Sequence, residues 1–439
     1  MPHVLLLGTC DTKLEELLFL RSSILKNGNT TVTLIDVGRS PTAHDYITIT
    51  QSHLLSHHAP KDTSSSPSQL QDLPRGDVIK HMATYARNYV KSLISNGTAI
   101  HGIVSAGGSC NTSLAAEVMR DALPIGFPKL IVSTIASGDT SRLVGETDIT
   151  LMYSVVDIAG LNSLLQTILS NAAGAIVGMA SAYEASQTPS QTSGESPKSK
   201  SKAEPLRIGI TMFGVTTPCA DAIRNHISAH YPNTECYVFH ATGSGGRAME
   251  RLIREQRLDA VVDLTTTEIC DYLFGGNMPA GPDRLDAAID AGIPCILSFG
   301  ACDMVNFGPI DTVPEGYRRA HRKLFEHNPA VTLMRTTPDE CRQVGEFIAS
   351  KLKRVKKENA KMVRMYFPSG GISAMSVKGG PFEDRGADEA LLGAVEKGLE
   401  GTEIGLHTSE YEINDERFAR MVSEALMEVV RTGISMTDE

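Results

Sequence analysis

Two stretches of the chain open alike. Val4-Leu5-Leu6-Leu7 is a short, continuous apolar run, the pattern of a strand buried on both faces. It stops at Gly8 and a polar turn, after which Leu14, Leu17, Leu18 and Leu25 return at helical spacing. Much later, Ile208-Gly209-Ile210-Thr211-Met212 stops at Phe213-Gly214. Thr217-Pro218 then opens a helix, with Thr217 suited to the N-cap and Pro218 to the first helical position. Further apolar runs predict strands over 31–37, 102–105 and 130–134, and over 235–240, 260–264 and 295–299. Helical segments separate them, and such alternation builds parallel sheets with crossover helices. The expected fold class is therefore α/β, with two Rossmann-like three-layer units, each around a mainly parallel sheet. The endings KLIVSTIASGD (129–139) and PCILSFGACD (294–303) also match in pattern, as two related units would.

The polar stretches divide this pattern. Residues 184–206, EASQTPSQTSGESPKSKSKAEPL, hold almost nothing apolar and read as a flexible linker between a first domain, 1–183, and a second, 207–439. Residues 56–76 read as a long surface loop within the first domain.

Composition narrows the function classes. At 439 residues, with 41% hydrophobic and 21% charged, the chain is globular and long enough for more than one core. Asp plus Glu number 51 against 41 Lys plus Arg, and no basic stripe appears, which argues against general nucleic-acid binding. No apolar run reaches membrane-spanning length, and Met1-Pro2-His3 leads straight into a strand without a secretory pattern. The eight cysteines form no C-x-x-C pair and read as free thiols in a reducing compartment, so a cytoplasmic location is expected.

The candidate chemistry lies where strands end. Gly8-Thr9-Cys10-Asp11-Thr12-Lys13 joins a strand to a helix, where free amides and the helix dipole favour phosphate. Gly8 permits a tight turn, the Thr9 and Thr12 hydroxyls can donate, and Lys13 can neutralise charge. A capping box with Thr12 as N-cap and Glu15 reaching back is compatible with the same residues. In 105–113, Gly107, Gly108, Ser109 and Thr112 let the backbone approach a ligand before a helix over 114–119. Thr134, Ala136, Ser137 and Gly138 form a third such ending. Open α/β sheets bind ligands where these endings converge. Asp36 ends the second strand as a ribose-binding carboxylate does, but without G-x-G-x-x-G upstream a turn role stays equally open. Asp139, like Asp11, suits a water-mediated Mg²⁺ beside phosphate.

In the second half, His240-Ala241-Thr242-Gly243-Ser244-Gly245-Gly246-Arg247 is the densest glycine segment, and Arg247 suits a carboxylate or phosphate. Together with Glu268, Asp303 and His327, His240 and Arg247 form a candidate acid/base site for a small carboxylate or phosphorylated metabolite. No G-x-S-x-G, H-E-x-x-H or kinase set is present.

These motifs also carry a resemblance. GTCDTK (8–13), AGGSCNTSL (106–114), STIASGDT (133–140), SVVDIAGLN (154–162), ITMFGVTTPC (210–219), FHATGSGGRAME (239–250), DLTTTE (263–268), DMVNFGP (303–309) and EHNPAVTLMRTT (326–337) span nearly the whole chain. It resembles the ATP-binding inhibitory domain of the tobamovirus resistance proteins and their bacterial and fungal relatives. The resemblance implies two α/β subdomains, ATP binding and a homodimer. In plant members it implies a partner protein of viral origin and a further barrel domain. Cys10 and Cys110-Asn111 stand where it implies smaller residues. It points to a stand-alone member with a small-molecule or regulatory role, and an enzyme acting through the second-half loops is the alternative.

Overall fold

The computed structural model describes residues 1–60, 70, 72–187 and 204–437. The chain divides into two compact units, Met1–Lys198 and Ser199–Glu439. The expected linker falls mostly on 188–203, outside the described residues, and its first four residues continue a helix.

The first unit runs β1 (His3–Gly8), α1 (Cys10–Lys26), β2 (Thr31–Asp36), α2 (Gln51–His58), α3 (Arg75–Ser95), β3 (Gly102–Gly107), α4 (Ser109–Ala122), β4 (Lys129–Ser133), α5 (Ser141–Val144), β5 (Thr150–Tyr153) and α6 (Ser163–Gln187). Its five strands are all parallel, in the order β2-β1-β3-β4-β5. The apolar run of β1 is buried on both faces because successive side chains alternate between two cores. Leu5 and Leu7 join Ile35, Ile103 and Ile131 beneath α3 and α4. Val4 and Leu6 join Leu34, Val104 and Leu130 beneath α1 and α6. Helix α6 is the one described helix apolar and long enough to cross a membrane by composition. Here it lays Leu165, Leu169, Ala172, Ala173, Ile176, Val177 and Ala180 into that second core, a stripe at helical spacing.

Two helices start earlier than their apolar periodicity predicts. The Thr9 carbonyl accepts from the amides of Thr12 and Lys13, so a helical turn winds directly off β1. Lys13 then breaks it, with φ −134° and ψ 24°. Thr12 does not cap; its hydroxyl meets that of Thr9 at 3.0 Å. Helix α4 starts at Ser109 rather than 114, because its first turn is built from polar residues that carry no apolar signal. Of the expected 56–76 loop, 56–58 and 75–76 are helical, and 61–69 and 71 lie outside the described residues.

The second unit runs β6 (Leu206–Met212), α7 (Thr217–His230), β7 (Thr234–His240), α8 (Ser244–Arg254), β8 (Ala260–Thr265), α9 (Thr267–Phe274), α10 (Asp286–Ala291), β9 (Cys295–Gly300), β10 (Met304–Phe307), α11 (Glu315–Arg319), β11 (Leu324–Asn328), β12 (Val331–Arg335), α12 (Pro338–Leu352), β13 (Val363–Pro368), α13 (Arg385–Gly398), β14 (Gly405–Ser409) and α14 (Glu416–Thr437). Thr216, not Thr217, occupies the N-cap position of α7, which moves Pro218 one place inward. Six parallel strands stand in the order β14-β13-β9-β8-β6-β7, and β10, β12 and β11 form a separate antiparallel sheet. Counted from its own first strand, the large sheet repeats the order of the first unit and extends it by one strand. The mainly parallel α/β expectation holds in both units.

Candidate functional site

In both sheets the strand order reverses between the first and third strands, and open α/β sheets bind ligands outside such a point. In the first unit this point opens into a cavity of about 530 Å³, within the size range of small-molecule sites. Three helices begin at it. Helix α1 contributes Thr9, Asp11, Thr12 and Lys13; α3 contributes Arg75; α4 contributes Gly108, Ser109 and Asn111. None of the three N-cap residues makes a side-chain cap bond. The first amide of α1, that of Cys10, is taken by Asp36, while the dipoles of all three helices and the other leading amides of α1 and α4 have no side-chain cap, the arrangement that binds anions. Lys13, Arg39 and Arg75 add positive charge, and among the described residues the Lys13 ammonium has no hydrogen-bond or ion-pair partner. Val37, Val78, Ile79 and Leu114 form an apolar wall.

The loop after β2 is fixed by two carboxylates. Asp11 Oδ2 accepts from the amides of Arg39 and Ser40 at 2.9 and 3.0 Å. Asp36, fully buried, accepts from the amides of Cys10 and Gly38 at 3.1 and 2.9 Å through Oδ1. Burial pushes the Asp36 carboxyl up, and these amides pull it partly back. A Cβ on Gly38 would lie 2.6 Å from Asp11 Oδ1, so a glycine is needed for the loop to close on this carboxylate. Arg39 is held by a 2.9 Å bond from Nη2 to the Leu73 carbonyl.

The expected site residues separate into three groups. Thr9, Asp11, Thr12, Lys13, Gly108 and Ser109 line the cavity. Gly8, Gly107, Asp36 and Thr112 stand behind it as packing and positioning groups. A Cβ on Gly8 would strike Leu17 and one on Gly107 would strike Asn111, each near 2.5–2.6 Å. The Thr112 hydroxyl lies 2.7 Å from that of Ser133 in the core. Thr134, Ala136, Ser137, Gly138 and Asp139 do not line the cavity. Asp139 is exposed, and the Ser141 hydroxyl and then the Ser141 amide, at the start of α5, draw its carboxyl below the ordinary range. Sequence reasoning missed Arg39, Arg75 and Asp157. Arg75 sits in a stretch that reads as surface loop, and the other two follow strands without a glycine motif.

The five second-unit residues do not assemble; no hydrogen bond or ion pair joins any two of them among the described residues. Glu268 is fully buried and accepts from the amides of Gly243 and Gly246, at 2.6 and 3.1 Å, and from Arg284 Nε at 2.9 Å. Asp303 is buried and accepts from the Ser373 hydroxyl at 2.7 Å. His240 is exposed and stacks on Phe213; Arg247 donates to the Pro279 carbonyl; His327 is exposed on β11. Arg284, absent from the sequence reading, gathers Asp263, Glu268 and Glu250 around one buried guanidinium.

Residues 2–185 match the N-terminal domain, and 205–430 the C-terminal domain, of an uncharacterised protein family, UPF0261. The chain belongs to the UPF0261 family. A UPF0261 protein of Clostridium tetani is 42% identical, covering 97% of this chain and 98% of its own. Another, from Mesorhizobium japonicum, is 40% identical over 98% of this chain and its own full length. The ToMV resistance protein Tm-1 of Solanum lycopersicum is 37% identical over 98% of this chain, a match spanning 56% of that protein. The match to solved MurG of Acinetobacter baumannii, at 11% identity and TM-score 0.21 over 98% of this chain and all of that one, carries no argument.

Proposed function

We propose that this UPF0261 member binds ATP in the first-unit cavity and serves a small-molecule or regulatory role. One observation carries the reading: three helix N-termini whose own N-cap residues make no side-chain cap converge on a single cavity that also holds Lys13, Arg39 and Arg75. Such a site suits several linked phosphates better than a single carboxylate, because each terminus offers its own amides. Its apolar wall suits a base. No described group of three His, Cys, Asp or Glu residues is arranged to hold a metal by itself. Mg²⁺ would accompany the phosphates, with Asp11 as the adjoining carboxylate. A homodimer and a cytoplasmic setting belong to the same reading, supported by the family resemblance and by eight unpaired cysteines.

The test is calorimetry with ATP, with and without Mg²⁺, on the wild type and Gly108→Glu. A Cβ at Gly108 meets nothing closer than Thr134 Oγ1 at 3.9 Å, so the substitution introduces a carboxylate without a steric clash at Cβ. Loss of ATP binding with an unchanged melting temperature is expected. Unchanged binding overturns the reading.

A further inference from the structure

Resting on the nucleotide reading, we infer that Asp157 sets the specificity of the first-unit cavity: it accepts a hydrogen bond from the nucleoside part of the ligand, so the site takes a phosphorylated nucleoside and disfavours a bare phosphate chain. The backbone that carries this carboxylate is strained. Val155 has φ 64°, a region that a β-branched side chain rarely enters. The Val156 amide donates to the Ser154 carbonyl at 2.6 Å, which closes a three-residue γ-turn on Val155. With positive φ at its centre, this is the rare and strained form of that turn. Val155 is 59% exposed, so burial of its own side chain does not offset the strain. Such a conformation persists where the surroundings over-determine it, and it clusters at ligand sites.

Three anchors hold the turn in place. Ser154 is fully buried; its amide donates to the Ser133 carbonyl at 3.1 Å and its hydroxyl to the Val156 carbonyl at 2.6 Å. Ile158 is fully buried in the core beneath α1 and α6. The Gly160 amide donates to Glu16 of α1 at 2.7 Å. Between these anchors Asp157 is exposed and lines the cavity. Among the described residues its carboxylate has no hydrogen-bond or ion-pair partner. The stretch 154–162 is one of those that carry the family resemblance, and the anion-binding helix termini leave it without a role. Its chemistry is opposite to theirs. Lys13, Arg39, Arg75 and the helix dipoles draw phosphates inward, whereas a carboxylate repels them. A carboxylate accepts hydrogen bonds and donates none, so its complement is a donor on the ligand. A phosphate chain offers no such donor. ATP offers its sugar hydroxyls and its base amino group.

Calorimetric titration of the full chain, wild type and Asp157→Ala, tests this with ATP, 2′-deoxyATP, 3′-deoxyATP, ITP and inorganic tripolyphosphate, each with Mg²⁺ and with EDTA. Asp157→Ala should keep the wild-type melting temperature and weaken ATP by about 10- to 100-fold, the range for one charged hydrogen bond. Tripolyphosphate should bind the variant as well as the wild type or better, because a repelling charge has gone. The analogue that lacks the donor held by Asp157 should bind the wild type as weakly as ATP binds the variant, and should lose nothing further in the variant. A deoxy analogue behaving so assigns a sugar hydroxyl, and ITP behaving so assigns the amino group. Unchanged ATP binding by the variant would overturn the inference and leave the nucleotide reading intact. So would an equal loss for ATP and tripolyphosphate, a loss seen only with Mg²⁺, or three analogues that all depend on Asp157 as ATP does. Absence of ATP binding by the wild type would overturn both readings.

Discussion

At the carboxyl ends of β1 and β3, the Lys13 ammonium is unpaired and neither α1 nor α4 has an N-cap side-chain bond, around an open cavity. At the matching ends of β6 and β8, the same kind of residues have found one another. The Thr216 and Thr265 hydroxyls meet at 2.8 Å, Thr211 donates to Asp263, and Arg284 closes Asp263, Glu268 and Glu250 around itself. The Gly243-Ser244-Gly245-Gly246 turn wraps the Glu268 carboxylate so tightly that a Cβ on Gly246 would fall 2.0 Å from it. The two units thus share a strand order but not its use. The first turn gives only its Cys10 amide to a carboxylate, Asp36; the second closes two amides, those of Gly243 and Gly246, on Glu268. A glycine-rich strand ending indicates amides in need of an anion, without saying where the anion comes from.

The sharpest break in this comparison is Arg284→Met. It strands three buried carboxylates, and a loss of about 3–5 kcal/mol in urea unfolding is expected, the usual result of removing one partner from a buried ion cluster. A change below 1 kcal/mol would mean that the cluster is less buried than the fold implies. Lys13→Ala should do the reverse: the unfolding midpoint stays put while ATP binding weakens by about 1.5–3 kcal/mol, the range for a charged hydrogen bond. If stability falls instead, Lys13 is structural.

The third contrast is titration. Burial pushes the Asp271 carboxyl up to about 7, against the Asn306 and Met278 amides that pull it down. Its folded value exceeds its unfolded one, so the folded state holds a proton that the unfolded state has released. The stability it contributes is fully present below about pH 4 and is lost as pH rises through about 7. Thermal unfolding should show this decline in the wild type and a flatter profile in Asp271→Asn. Equal slopes would exclude Asp271 as the titrating group. The smallest effect concerns thiols. Cys110 and Cys236 are half-exposed, and the other six cysteines are buried. An alkylating reagent should therefore label these two first, and ATP should protect Cys110, in the cavity wall, but not Cys236. Protection of neither, read by mass spectrometry, would place the nucleotide elsewhere.

Apolar runs made the parallel strands legible, because a strand buried on both faces needs apolar side chains at both parities, as in Val4 to Leu7. Strands β5, β13 and β14 and the antiparallel β10, β12 and β11 were missed. Met304 to Phe307, for example, lies in a segment that reads as a polar strand ending. Helix starts were displaced wherever the first turn is polar, as in Ser109 to Thr112. Of the cavity, the residues in the glycine-rich endings of β1 and β3 were readable. Arg39, Arg75 and Asp157 were not, because they reach it from loops and a helix start brought in by tertiary packing. Glu268 and Asp303 were singled out for the right chemical types, but only coordinates show that those carboxylates are already occupied.

Helix α6 is the last element of the first unit to be synthesised, yet it covers β1, β3 and β4, among the unit's earlier strands. Until residues 163–187 leave the ribosome, Val4, Leu6, Val104 and Leu130 have only α1 over their side of the sheet. A nascent or prematurely stopped chain ending before Ser163 would carry all five strands and one apolar face covered by α1 alone. That is the form of this protein that chaperones would hold and proteases would clear.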